Sequence, residues 1–181
     1  MKNTIIKSLF LAFTLLMIQG CSRADENADV LAQEEVSSVI LAVEEQGTGV
    51  VQSYTYVANA AHYPHLHLET GKIYDVQVIF RNGSEDITQE IIEERDEHFL
   101  IYDFKNAEIS LVRTDAEIRN DGKRLGIAVQ WTVNQIATTD ARLELTLYHD
   151  PVTVDEGQNG TAWGSVTGGE TDAVAFFDIT D

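Results

Sequence analysis

Five histidines punctuate the chain, and they are not scattered. His62, His65 and His67 fall within six positions, His98 closes an acidic run, and His149 precedes Asp150-Pro151 at the end of an apolar one. If 65–68 is extended, His65 and His67 project to the same side, because strand side chains repeat every two residues. Two imidazoles on one face form a donor set for a divalent transition metal such as zinc or copper. Glu90, Glu93, Glu94 and Glu97 recur at i, i+3, i+4 and i+7, so a helix there would align them on one face. Glu94 also stands four residues before His98. The spacing predicts a metal site built from His98 with Glu94 or Glu97, joined across a loop by His65 and His67. A solvated carboxylate face beside loop histidines is the plainer outcome of the same pattern.

Other chemistries find less support. The Gly-x-Ser-x-Gly elbow, the phosphate-binding Gly-Lys-Ser/Thr loop and the His-Glu-x-x-His pair are all missing from the sequence. Adjacent acids mean little in so acidic a chain, and a glycosidase would need two carboxylates facing one cleft. Asp155-Glu156-Gly157 offers hard oxygen ligands, but without the alternating Asp/Asn positions and final Glu of an EF-hand. The expectation is a protein without catalytic activity.

Short strands must position these groups. In 73–81, Tyr74, Val76, Val78 and Phe80 alternate with polar neighbours, the pattern of a half-buried strand. Further strand-like runs fall at 36–44, 50–57, 99–104, 108–114, 125–133, 141–149 and 173–179. Gly47-Thr48-Gly49, Arg81-Asn82-Gly83-Ser84 and Asn120-Asp121-Gly122-Lys123 supply turns. Residues 86–95 place apolar side chains at 87, 91 and 92, which suits a short helix with Asp86 as N-cap. The glycines between 157 and 169 predict a long loop. About eight strands with one short helix describe an all-β fold, an antiparallel β-sandwich of immunoglobulin-like kind. Tyr54, Tyr56 and Trp131 would sit in or near its core.

The first residues read as an export signal. Lys2 and Lys7 form a basic start, Leu9 to Ile18 an apolar stretch too short to span a bilayer, and Ile18-Gln19-Gly20-Cys21 a lipobox. Cys21 is the only cysteine, so lipidation accounts for it and an internal disulfide is impossible. The expected organisation is a leader over 1–21, a flexible acidic tether over 22–34 and a sandwich domain over 35–181. Losing Lys2 and Lys7 with the leader leaves 10 of the 12 basic residues against all 30 acidic ones, a net charge of −20. Such a charge repels nucleic acid and anionic lipid and favours cations.

Several stretches carry a resemblance. They are Leu68-Glu69-Thr70-Gly71-Lys72-Ile73-Tyr74, Glu85-Asp86-Ile87-Thr88-Gln89-Glu90-Ile91 with Glu93-Glu94-Arg95-Asp96-Glu97-His98-Phe99, Leu147-Tyr148-His149-Asp150-Pro151, and Gly168-Gly169-Glu170-Thr171-Asp172. Together they resemble a group of Bacteroidota lipoproteins called type 1 periplasmic binding fold superfamily proteins. The likeness implies an outer-membrane lipoprotein, facing the periplasm or the cell exterior, linked with TonB-dependent receptors. Its name also implies a two-lobed α/β protein, whereas the strand pattern here implies a sandwich. Relatives carry an Asp/Gly-rich stretch where this chain has Ala60-Ala61-His62-Tyr63-Pro64-His65-Leu66-His67. The combined expectation is a non-catalytic accessory binding module of an outer-membrane uptake system, with a divalent metal or metal complex as its cargo. The alternative is a structural or adhesion-type domain that presents loops or an edge strand to a protein or glycan.

Overall fold

The computed structural model describes residues 36–181, which form two six-stranded sheets and one short helix. Cys21, the leader and the whole of the expected tether lie outside the described residues. The first sheet runs in the order β2 (Val51–Val57), β1 (Ser38–Glu45), β4 (Ile73–Asn82), β8 (Ala128–Ile136) and β7 (Ala107–Arg113), with β5 (Glu85–Asp86) paired to the end of β4. The second runs β10 (Thr153–Asn159), β11 (Ala162–Thr167), β6 (His98–Lys105), β9 (Arg142–His149), β12 (Glu170–Thr180) and β3 (His65–His67). Neighbours are antiparallel, except that β3 lies parallel to the C-terminal part of β12. The protein is an antiparallel β-sandwich, larger than the seven- or nine-stranded immunoglobulin pattern.

Alternation explains which residues meet between the sheets. Tyr74, Val76, Val78 and Phe80 on β4 are buried, as their period of two requires, and Leu143, Leu145 and Leu147 on β9 face them from the other side. Trp131 of β8 is fully buried and meets Tyr102 and Phe104 of β6 edge-on, at centroid distances of 6.1 and 5.4 Å. Edge-to-face contact sets a positive ring edge against a negative ring face, adding about 0.5–1.5 kcal/mol per pair beyond burial. Tyr54 and Tyr56 are partly buried against this core.

Two local expectations need correction. Residues 157–169 are not a long loop, because β10 and β11 form a hairpin there. With the short β3 and β5, this hairpin raises the expected eight strands to twelve among the described residues. Its outer strand β10 is held by backbone pairing and buries little, so it carries no apolar signature. The helix α1 is shorter than predicted, Thr88–Glu93, and its N-cap is Ile87. Asp86 lies one residue earlier and accepts from the Thr88 N–H at 3.0 Å; the Thr88 side-chain hydroxyl first, and then this backbone bond, hold its carboxyl below the usual carboxylate range. Asn120–Lys123 forms the expected turn, within the connection between antiparallel β7 and β8 and closed by Arg119 and Lys123.

Candidate metal centre

The predicted ligand set does not assemble. His65 and His67 share a face of β3, as strand geometry demands, and both are exposed. They pair with Asp178 and Thr180. His98 instead belongs to the opposite end of the sheet, about 20 Å away at ~3.3 Å per residue of β12. Glu94 and Glu97 lie beyond the end of α1, so no helical face aligns them. Glu94 contributes its main-chain oxygen to His98, not its carboxylate. Asp155 and Glu156 sit in β10, committed to the N–H groups of Gly157 and Arg124, and form no calcium loop.

A different set does converge. β6 begins with His98 and β9 ends with His149; antiparallel pairing makes them direct partners, and their rings stack at 4.9 Å. Both lie in the row that continues into the core as Leu100 and Leu147, then Tyr102 and Leu145. β12 supplies the third member through a bulge. Its register shifts between Thr171 and Ala173, leaving Asp172 as the inserted residue. A bulge turns a strand and re-aims the extra side chain. Thr171 stays exposed, while the Asp172 side chain is 0% exposed and directed at the two rings. Its Oδ2 stands 3.4 Å from His98 Nε2 and 3.6 Å from His149 Nδ1.

The hydrogen-bonding chemistry of this trio favours a cation. His98 Nδ1 lies 3.2 Å from the Glu94 carbonyl, which can only accept, so Nδ1 carries the hydrogen. Nε2 faces the Asp172 carboxylate at 3.4 Å, an ion pair when the ring is protonated and a lone pair open to a shared metal when it is neutral. Fixing one ring nitrogen on a carbonyl is also how metal-binding histidines are oriented. Among the described residues, neither Asp172 oxygen accepts a hydrogen bond, although both are buried. An unsatisfied buried carboxylate is costly, and a shared cation removes the cost.

The separations suit such an ion. Ligands about 2.0–2.1 Å from a tetrahedral zinc lie roughly 3.3 Å apart. The near-parallel rings, inclined by 26°, do not converge on one point, so one must turn as an ion is shared. His149, 19% exposed, has more room for this than the fully buried His98. Its other nitrogen, Nε2, faces Glu97 Oε2 at 3.7 Å and Asp150 Oδ2 at 3.8 Å.

The support around His98 was invisible in the sequence. Arg119 donates from Nη1 to the carbonyls of His98 and Arg95, tying the β7–β8 connection to the start of β6. Arg113 lies over the Phe99 ring at 4.3 Å and donates to the Leu100 and Leu125 carbonyls, both at 2.6 Å. Burial lowers its pKa from the ordinary arginine value. Gly126 and Gly164 make room for its guanidinium, since a Cβ on Gly126 would lie 2.0 Å from Nη1. At the far side, the Asp150 N–H donates to the Glu97 carbonyl at 2.6 Å, and Gly169 lets the 149–151 turn approach β12. Two buried arginines and a backbone clasp thus fix the three strand ends that carry the ligands.

The chemistry available here is coordination of a borderline divalent ion by two imidazoles and one carboxylate. A scan of protein-family models, a search of curated proteins and a search of solved structures each returned no match to this chain, so the site's own geometry must carry the functional argument.

Proposed function

We propose that the protein is a non-catalytic envelope lipoprotein whose sandwich binds a divalent transition metal, zinc or copper, as an accessory to an outer-membrane uptake system. One observation carries the metal part: the buried Asp172 carboxylate accepts no hydrogen bond among the described residues and faces the ring nitrogens of His98 and His149. The anchor rests on the lipobox ending at Cys21. The link to an outer-membrane receptor rests on the resemblance to Bacteroidota lipoproteins. No described helix is long and apolar enough to cross a membrane.

Calorimetric titration of the full chain with zinc and copper tests the cargo. The expected result is binding tighter than millimolar that His98→Ala or Asp172→Asn weakens at least tenfold and His65→Ala leaves unchanged. Binding indifferent to His98 and Asp172 would remove the metal from the proposal. Metabolic labelling with a fatty acid, lost in Cys21→Ser, tests the anchor. Co-purification of an outer-membrane receptor after mild detergent extraction tests the partner.

A further inference from the structure

We propose that His149 bridges two divalent transition ions, making the centre binuclear. The inner ion is held by His98 Nε2, His149 Nδ1 and Asp172, and the outer ion by His149 Nε2, Glu97 and Asp150. This rests on the reading above that the inner cluster takes a metal.

The geometry around one ring carries the argument. Each His149 nitrogen faces carboxylate oxygen: Asp172 Oδ2 at 3.6 Å from Nδ1, with Glu97 Oε2 at 3.7 Å and Asp150 Oδ2 at 3.8 Å from Nε2. A neutral imidazole has one N–H and one lone pair, so it can satisfy only one of these sides. An imidazolate between two cations satisfies both. Two separate three-residue sets, His98–His149–Asp172 and Glu97–His149–Asp150, place their donor atoms within 4.8 Å of one another, and His149 is their common member. Nε2 is itself buried and makes no hydrogen bond among the described residues.

Charge balances as well. Asp172, Glu97, Asp150 and the bridging imidazolate supply four negative charges against two dications, and the displaced ring proton leaves to solvent. The two halves differ in access. Asp172 and His98 are sealed, whereas the Glu97 and Asp150 side chains are 50% and 75% exposed. The outer carboxylates can therefore follow His149 when its ring turns, and the outer ion exchanges first.

The test is metal stoichiometry of the full chain by equilibrium dialysis against zinc, with copper(II) as a magnetic probe. Two ions per chain are expected, falling to one in Glu97→Gln/Asp150→Asn, with the remaining affinity changed less than threefold. In the copper(II)-loaded protein, exchange across the imidazolate should suppress at least half of the paramagnetic resonance intensity, and the double variant should restore it. One ion in the unaltered protein, abolished by Asp172→Asn, overturns the bridge but keeps the single-ion reading. Two ions with full, uncoupled intensity also overturn the bridge. No binding at all sinks both. Both outer substitutions lie on exposed side chains and conserve volume, and a circular dichroism spectrum matching the unaltered protein checks that the fold is kept.

Discussion

Replacing Asp172 with asparagine should move stability in opposite directions with and without zinc. The amide keeps the carboxylate's volume, so the packing between β6, β9 and β12 is retained. In excess chelator the change removes a buried anion whose oxygens accept no hydrogen bond among the described residues, and it supplies an N–H₂ donor facing His98 Nε2. The variant is then expected to gain about 1 kcal/mol, the net worth of one satisfied hydrogen bond. With zinc the sign reverses. A ligand at a hundred times its dissociation constant stabilises the fold that binds it by about 2.7 kcal/mol. For a domain of roughly 150 residues, at ~2–4 °C per kcal/mol, the unaltered protein should gain about 5–11 °C. The variant lacks the only charged inner ligand and should gain under 2 °C, by the same ~2–4 °C per kcal/mol scale. Thermal melts followed by circular dichroism, in chelator, zinc and calcium, provide the assay. An equal zinc shift in both proteins, or a calcium shift as large as that of zinc, would refute the assignment of an imidazole–carboxylate centre.

Gly126→Ala should destabilise by roughly 4 kcal/mol or more in urea unfolding, because φ is +98° there and the new Cβ evicts Arg113 from two carbonyls. Trp131→Ala should cost about 3–5 kcal/mol in the same assay, as it empties the contact between the sheets. Burial pushes the Tyr102 phenol far above its ordinary value, so an ultraviolet titration should leave one tyrosine un-ionised until the fold is lost. Asp86 has a folded pKa below its unfolded value, so its stabilisation is present above pH 4 and disappears as pH falls through the folded pKa. Asp86→Ala should therefore lower the urea midpoint at pH 7 and flatten its fall as pH drops below 4.

How much of this was legible depended on whether a residue's position follows from local periodicity. The alternation of Tyr74, Val76, Val78 and Phe80 declares β4, because burial on one face selects those residues directly. β10 announces nothing, since an edge strand paired through its backbone can be polar on both faces. The candidate site divides in the same way. His65 and His67 do share a face, but a local rule cannot say what that face meets. His98 and His149 become neighbours only through the antiparallel β6–β9 register, and Asp172 turns inward only because of a bulge. One usable signal was present: one predicted strand starts beside a histidine and another ends with one, which is the arrangement antiparallel pairing brings together. No comparable clue existed for Asp172 or for the buried arginines.

The insertion of β12 between β9 and β3 also constrains the order in which the molecule can be made. β3 comes early in the described chain and β12 last, yet they must lie side by side before the second sheet closes. Contacts between such distant segments are slow to form, because loop entropy is lost before pairing repays it. Asp172 arrives on that same late strand. Until β12 pairs with β9, the His98 and His149 rings lack the Asp172 carboxylate beside them. In the proposed centre, the ion's full ligand set would therefore form only when β12 docks against β9.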